Sequence, residues 1–145
     1  MTEQLAVSKE TIARDFAKRM HGTLEQDKVD AAVGALLSPA VSYPAECIVI
    51  SAIFYTHWKI VVTDGETFNG NAGGVGTPGG GGMWGSVNTN DINKLYSQTK
   101  SFEYYATSAY VNVNFFDGSA NFLGSFNAGG LSTLNGAGGG SGSWS

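Results

Sequence analysis

Few residues of this chain combine the types and spacing that catalysis or metal binding requires. The only histidines are His21 and His57, too few for a histidine-rich metal site, so we expect no metal to be bound. Cys47 could form a nucleophilic pair with His57, but the extended chain between them would span about 33 Å unless it folds back. We therefore interpret Cys47 as a buried, unreactive thiol.

Carboxylates could support acid–base catalysis if two of them were held close together. The candidates in the later part of the chain are Glu46, Asp64, Glu66, Glu103 and Asp117. Asp64 and Asp117 each precede a glycine and are typical turn residues. No motif brings any remaining pair together, so we predict no catalytic residue, no cofactor-binding residue and no enzymatic activity.

The segment 74–79 formally matches the G-x-G-x-x-G pattern of dinucleotide-binding proteins. Such a site also needs a strand before the turn and a helix after it, so that helix N–H groups meet the pyrophosphate. Here Pro78 interrupts the motif, and further glycines and a predicted strand follow. We interpret the segment as a flexible loop or a glycine-lined strand edge, and we expect no cofactor.

The three tryptophans are a further set that could bind a ligand. Trp58, Trp84 and Trp144 could stack on a sugar or lie at a membrane interface. In a small barrel, however, we expect them to fill the core or cap one end.

Composition limits the class of protein. The 145 residues suffice for one domain, or one domain with a tail, and only 14% of them are charged. Nucleic-acid binding is excluded as a function because the net charge is −4 and only 8 residues are Lys or Arg. No internal disulfide can form, because Cys47 is the single cysteine.

The amino terminus has neither the basic region nor the apolar region of a signal peptide. We therefore expect either a cytosolic protein or one whose signal has been removed. No apolar run reaches membrane-spanning length; the segment 47–55 is the longest, and it has the length of a strand.

Charge is concentrated at the start of the chain, since more than half of the charged residues lie in the first thirty positions. Ser8 could cap a helix that continues through Met20, with Ile12 and Phe16 on a narrow apolar stripe. We predict that residues 1–29 form a charged tail, disordered or weakly helical, and that residues 30–145 form the folded domain.

The strongest structural signal is a hairpin between residues 109 and 126, where two alternating runs flank Asp117-Gly118. With these two residues in a type I′ turn, one apolar face is buried and the other meets water. The predicted pairs are Phe116 with Ser119, Phe115 with Ala120, Val113 with Phe122, and Val111 with Gly124. Phe122 is accordingly predicted to lie in the core.

Further strands are predicted on both sides of a glycine-rich centre. Residues 46–62 read as two strands or one bent strand, and Asp64-Gly65 marks a second hairpin. Asn90 or Thr89 could cap one short helix ending near Tyr96. Seven to nine short strands indicate a sandwich or a barrel, and glycines within strands favour a barrel whose interior interleaves large and small side chains.

Several segments together resemble one protein family. They are Ser42-Tyr43-Pro44, Asn90–Tyr96, Ser101–Tyr104, Tyr110–Asp117, Phe122–Gly124, Gly129–Thr133 and Gly138–Trp144. Their combination resembles the Vap family of secreted virulence-associated proteins from pathogenic Rhodococcus. The likeness covers about residues 30–145.

The resemblance implies an all-β fold, a closed eight-stranded antiparallel barrel of Greek-key type with one short helix and a packed interior. It also implies export, or association with the cell surface, and a role in survival inside macrophages through altered phagosome or lysosome maturation. It brings no catalytic, metal or cofactor residue. The implied partner is a host membrane or host protein, and we expect a monomer.

Three functional hypotheses follow. The chain could be a secreted effector acting through its surface, a ligand-binding barrel of lipocalin type, or an enzyme. Inward-facing phenylalanines should fill the space that a ligand inside the barrel would need. For a surface effector, Tyr110, Phe116 and Leu123 are the candidate interaction surface, because the predicted register points them outward.

Overall fold

The computed structural model describes residues 7–130 and 134–145, so most of the predicted closing segment Leu131–Leu134 lies outside the described residues. Three helices and eight strands are found in these ranges. In chain order they are α1 Lys9–Met20, α2 Gln26–Leu37, β1 Val41–Ala52, β2 Tyr55–Val62, β3 Thr67–Gly76, β4 Gly79–Thr89, α3 Ile92–Gln98, β5 Ser101–Ala106, β6 Tyr110–Phe116, β7 Phe122–Gly129 and β8 Gly136–Trp144.

The eight strands form a closed barrel in the order β1-β2-β3-β8-β5-β6-β7-β4, and every pairing is antiparallel. The predicted closed eight-stranded antiparallel barrel is therefore confirmed. Three connections, β3 to β4, β4 to β5 and β7 to β8, join strands that are not neighbours. The Greek-key arrangement stays a prediction. The expectation of one short helix is wrong, because α1 and α2 precede the barrel.

Aromatic rings fill the barrel, and glycines make room for them. The ring of Phe68 lies 5.0 to 5.4 Å from those of Phe102, Phe115 and Trp144. A Cβ atom on Gly70 would come within 2.7 Å of the Phe68 and Phe102 rings, and one on Gly142 within 2.5 Å of Phe68. Large rings on β3 and β5 thus fill the space that the glycines of β3 and β8 leave free, as expected for a packed interior.

The predicted hairpin at Asp64-Gly65 is present, and Ile60 lies opposite Phe68 in it. The hairpin at Asp117-Gly118 is also present, but its predicted register is wrong. Val113 pairs with Phe126 instead of Phe122. The remaining pairs differ from the prediction as well, since Val111 pairs with Ala128, Phe115 with Gly124 and Phe116 with Phe122.

A wider loop explains the changed register. The carboxylate of Asp117 accepts hydrogen bonds from the backbone N–H groups of Ser119 and Asn121, each at 2.9 Å. A type I′ turn requires a positive φ at both Asp117 and Gly118, but in this loop the positive φ, 64°, is found at Ala120. The loop therefore spans residues 117–121, and an Asx-type turn replaces the predicted one.

The change of register has one important consequence for the core. It displaces most of β7 by an even number of residues, so Phe126 still faces inward and is fully buried. An irregularity between Phe115 and Phe116 reverses the alternation at the strand end. Phe122 consequently faces outward, where its ring lies 6.0 Å from that of Phe116, and its predicted place in the core is wrong.

The segment 1–29, for which we expected a disordered or weakly helical tail, contains a helix packed on the barrel. Ser8 caps α1 as predicted, because its hydroxyl accepts a hydrogen bond from the Thr11 N–H at 3.2 Å. Phe16 is fully buried and stacks on Phe116 of β6 at 6.3 Å. The outward-facing aromatic residues of β6 and β7 give the apolar stripe of α1 a surface to bury.

The proposed domain boundary at residue 29 falls inside α2, whose Val29 shares a buried cluster with Phe16. The segment 29–42 contains the rest of this helix and the start of β1. Helix α3 was predicted, but its N-cap is Asp91, whose carboxylate accepts from the Lys94 N–H at 3.0 Å.

The corrected register predicts which phenylalanine of β7 stabilises the fold most. Replacing Phe126 with Ala should lower the free energy of unfolding by about 3 to 5 kcal/mol, because it leaves a cavity among the buried apolar side chains inside the barrel. Phe122→Ala, on the outer face, should cost less than half as much. Urea unfolding of both variants measures this, and equal losses would contradict the register.

Docking of α1 predicts a second effect. Phe16→Ala should raise amide hydrogen exchange throughout α1, because the helix loses its fully buried anchor and opens locally. Arg14→Ala, at an exposed position of the same helix, is the matched control and should leave exchange unchanged. Equal protection in wild type and Phe16→Ala would show that α1 does not depend on this contact.

Candidate functional site

Two of the three residues of the interaction surface predicted from the sequence are covered by helices: Tyr110 by α1, and Phe116 by α1 and α2. Leu123 packs against the barrel core instead. Tyr110 and Phe116 do point out of the barrel, but they are only 3% and 5% exposed, and Leu123 is half-buried. The Tyr110 hydroxyl donates to the Asp15 carboxylate of α1 at 2.6 Å, and burial together with this neighbour raises the pKa of Tyr110. The exposed apolar fringe expected here is therefore wrong. The apolar stripe of Ile12 and Phe16 was the feature of the sequence that could have indicated a helix packed over this surface.

Beneath α1 lies a buried polar network. Arg19 Nη2 donates to Glu103 Oε1 at 2.8 Å and Arg19 Nε donates to Glu103 Oε2 at 3.2 Å, so the pair is bidentate. The Arg19 guanidinium also lies 4.4 Å from the centre of the Tyr105 ring. Asn114 donates to Glu103 and to Asn112. These contacts hold α1 on the outer face of β5 and β6 and leave no charge of the pair unmatched.

Large apolar side chains are exposed at another place, on β1, at the turn into β2 and on the neighbouring strand β4. We call this set the apolar patch. Its members are between 40% and 70% exposed: Ile48, Ile50, Ile53, Phe54, Tyr55 and Trp84. Sequence reasoning missed it because isoleucines on a strand usually lie in the core, and Trp84 was expected to fill the core or cap an end.

Glycines on β4 leave the patch uncovered. Ile48 pairs with Gly82, and Ile50 pairs with Gly80, so β4 offers no side chain to cover either isoleucine. The turn between β1 and β2 adds Ile53 and Phe54, the latter 70% exposed. The glycine-rich segment, expected to be a loop or a strand edge, thus forms strand backbone beside an exposed apolar surface.

The patch has almost no charge. The segments 47–63 and 67–89 together contain a single charged residue, Lys59, which lies opposite Ile48 on β2. Glu46 pairs with Trp84 and borders the patch at the end away from the turn. Polarity therefore increases along the strands from Phe54 toward Glu46.

The candidate nucleophile does not form a reactive pair. Cys47 is fully buried inside the barrel, and burial together with nearby Glu46 raises the pKa of its thiol. His57 lies on the outer face of β2, where its Nδ1 is 2.8 Å from Asn71 Oδ1. Cys47 and His57 face opposite sides of the barrel wall, and the interpretation of Cys47 as a buried thiol is confirmed.

The remaining motifs are structural. The segment 74–79 crosses the turn from β3 to β4, and a strand follows it where a dinucleotide site needs a helix. Trp58 and Trp144 lie in the core. Within residues 7–130 and 134–145, no group of three or more His, Cys, Asp or Glu side chains is placed to hold a metal ion. No helix in the same ranges is both long and apolar enough to cross a membrane.

Two cavities lie outside the barrel wall, beside the helices. The first, which we call the outer groove, has a volume of about 590 Å³ and lies between the helices and the outer face of β1, β4 and β7. Its lining includes Leu36, Ser42, Asn88, Phe122 and Asn127. The second has a volume of about 530 Å³, and its lining includes Arg19, Met20, Phe116 and Gly138.

Comparison with known proteins agrees with this architecture. The family model described as Rhodococcus equi virulence-associated protein matches residues 2–145. No curated protein sequence matches. A solved structure of VapD from Rhodococcus equi is 40% identical, with a TM-score of 0.71 over 74% of this chain and 100% of that one.

A structure of VapB from Rhodococcus equi is 44% identical, with a TM-score of 0.69 over 72% of this chain and 96% of that one. Both are described as virulence-associated proteins of this intracellular pathogen. The family model covers nearly the whole chain, including α1 and α2. This chain therefore belongs to the Rhodococcus equi virulence-associated protein family.

Proposed function

We propose that the chain is a secreted virulence effector, without enzymatic activity, that works by placing the apolar patch on a host membrane. The observation that carries this proposal is a set of exposed Ile, Phe, Tyr and Trp side chains on an almost uncharged part of the barrel. A contiguous exposed apolar surface of this kind typically marks an interaction site. Altered phagosome maturation would follow from contact with the phagosomal membrane.

The order of residues along the patch suits a membrane interface. Ile53 and Phe54 are at the turn, where they can enter the region of the acyl chains first. Trp84 lies toward Glu46, at the depth where tryptophan and charged groups meet lipid headgroups. The long side chain of Lys59 can extend its ammonium group toward water from the edge of the patch.

Apolar burial, and not charge, should drive the contact. The chain has a net charge of −4, so anionic lipids would repel it as a whole. Transfer of one large apolar side chain from water contributes about 1.5 to 3 kcal/mol when it is complete. Several partly transferred side chains of the patch would therefore give weak, reversible binding.

A lipocalin-type function has less support. The rings of Trp58 and Tyr104 lie 4.8 Å apart inside the barrel, and Phe115 and Phe126 are fully buried there. A ligand would have to displace these rings. Both cavities described above lie outside the barrel wall, so a ligand is better accommodated there.

The test compares vesicle binding of two double variants. Ile50→Ser with Phe54→Ser should weaken association with phosphatidylcholine vesicles by about tenfold or more, because two large apolar contacts are lost. Leu37→Ser with Val41→Ser is the matched control, since these two residues are also exposed apolar residues but lie outside the patch. The control should bind as wild type does, and salt should change the affinity little.

The same two double variants, introduced into bacteria that carry this chain, should differ in their effect on phagosome maturation in macrophages. The patch variant should lose its effect on phagosome maturation while the control keeps it, provided that thermal unfolding midpoints are equal. Loss of the effect without any vesicle binding by wild type would assign the patch to a host protein and overturn the membrane proposal. An unchanged effect in the patch variant would reject the patch altogether.

A further inference from the structure

A row of amide and hydroxyl side chains crosses the outer face of four neighbouring strands. Asn88 of β4 pairs with Ser42 of β1 on one side and with Ser125 of β7 on the other. Asn127 of β7 pairs with Asn112 of β6. We call this row the polar belt; its members are Ser42, Ser86, Asn88, Ser125, Asn127, Asn112 and Asn114.

One half of the polar belt is covered and the other half is open. Asn112 and Asn114 lie fully buried beneath α1, where they bond to each other and Asn114 also donates to Glu103. Ser42 is exposed and Asn88 is half-buried, because the outer groove separates the helices from this part of β1 and β4. The open half forms the floor of the outer groove.

The outer groove has the size and the mixed lining of a small-molecule site. Its volume of about 590 Å³ lies within the range of such sites, roughly 300 to 1,000 Å³. Leu36 and Phe122 provide apolar walls above the polar floor. A ligand would thus meet hydrogen-bonding groups on one side and carbon surface on the other.

The residues that line the groove disfavour two classes of ligand, cations and acyl chains. Lys9 and Lys94 line the groove, and the part of the chain that the structure describes gives neither ammonium group a carboxylate partner, which disfavours a cation. Asp91 is already engaged as the N-cap of α3. An acyl chain would cover the amide and hydroxyl groups of the floor without giving them partners, at a cost for each group.

We propose that the outer groove binds a saccharide. Serine hydroxyls and asparagine amides both donate and accept hydrogen bonds, as sugar hydroxyls do. Asn88 Oδ1 accepts from the Ser42 hydroxyl at 2.6 Å, whereas Asn88 Nδ2 makes only a long bond of 3.5 Å to the Ser86 carbonyl. Asn88 Nδ2 is therefore available to donate to a ligand, and Phe122 can pack against the C–H face of a sugar ring.

The proposal is tested by nuclear magnetic resonance titration of the full chain with four disaccharides: maltose, cellobiose, lactose and N,N′-diacetylchitobiose. At least one of them should shift the amide signals of Ser42, Ser86 and Asn88. Replacing Asn88 with Ala should then weaken the affinity by about tenfold, since one hydrogen bond to the ligand is lost. The same titration with sodium octanoate below its micelle concentration should leave these signals unchanged.

Asn69→Ala is the matched control, because Asn69 is an exposed amide on the outer face of β3 and does not line the groove. It should bind the sugar as wild type does. If Asn88→Ala lowers the unfolding midpoint, Ser86→Ala replaces it in the comparison. The proposal is overturned if none of the four sugars shifts the floor residues, if octanoate shifts them instead, or if neither floor variant weakens binding.

Discussion

The structure depends on the limited space inside a closed eight-stranded barrel. In this barrel side chains fill the interior, so the large ring of Phe68 needs small residues facing it. Phe68 occupies the place that side chains on Gly70 and Gly142 would take, and Trp144 packs against the same ring. Glycine on β3 and β8 is therefore a requirement of packing, and it removes the possibility of an internal ligand cavity around these rings.

The same use of glycine shapes the outer surface. Gly80 and Gly82 of β4 give Ile48 and Ile50 of β1 no side-chain neighbour on that strand, whereas the other ends of β1 and β4 carry the amides and hydroxyls of the polar belt. Two strands thus present an apolar patch at one end and a polar groove at the other. Because aromatic side chains fill the interior, we place the proposed recognition of a partner on these outer features.

The helices α1 and α2 decide which part of the barrel is surface. A bidentate pair between Arg19 and Glu103 and the stacking of Phe16 on Phe116 hold them over β5, β6 and β7. Breaking such a buried ion pair would leave a charge without a partner, at considerable cost. The pair therefore favours one docked position for α1, and that position hides Tyr110 while it leaves the outer groove open.

Local patterns in the sequence determined the strands, the hairpin at Asp64-Gly65, the cap at Ser8 and the burial of Cys47, because alternation and turn chemistry act over a few residues. Resemblance to a family added the closure of the barrel and the number of its strands. Tertiary structure alone decided the register at Asp117, since the side-chain bonds of a wider loop replaced the tight turn. It also decided which outward-facing residues are surface, because a helix distant in sequence covers Tyr110 and Phe116 while absent side chains on β4 expose Ile50. The exposure of an outward-facing residue depends on which segments meet in space, and this cannot be predicted from the periodicity or the composition of the sequence.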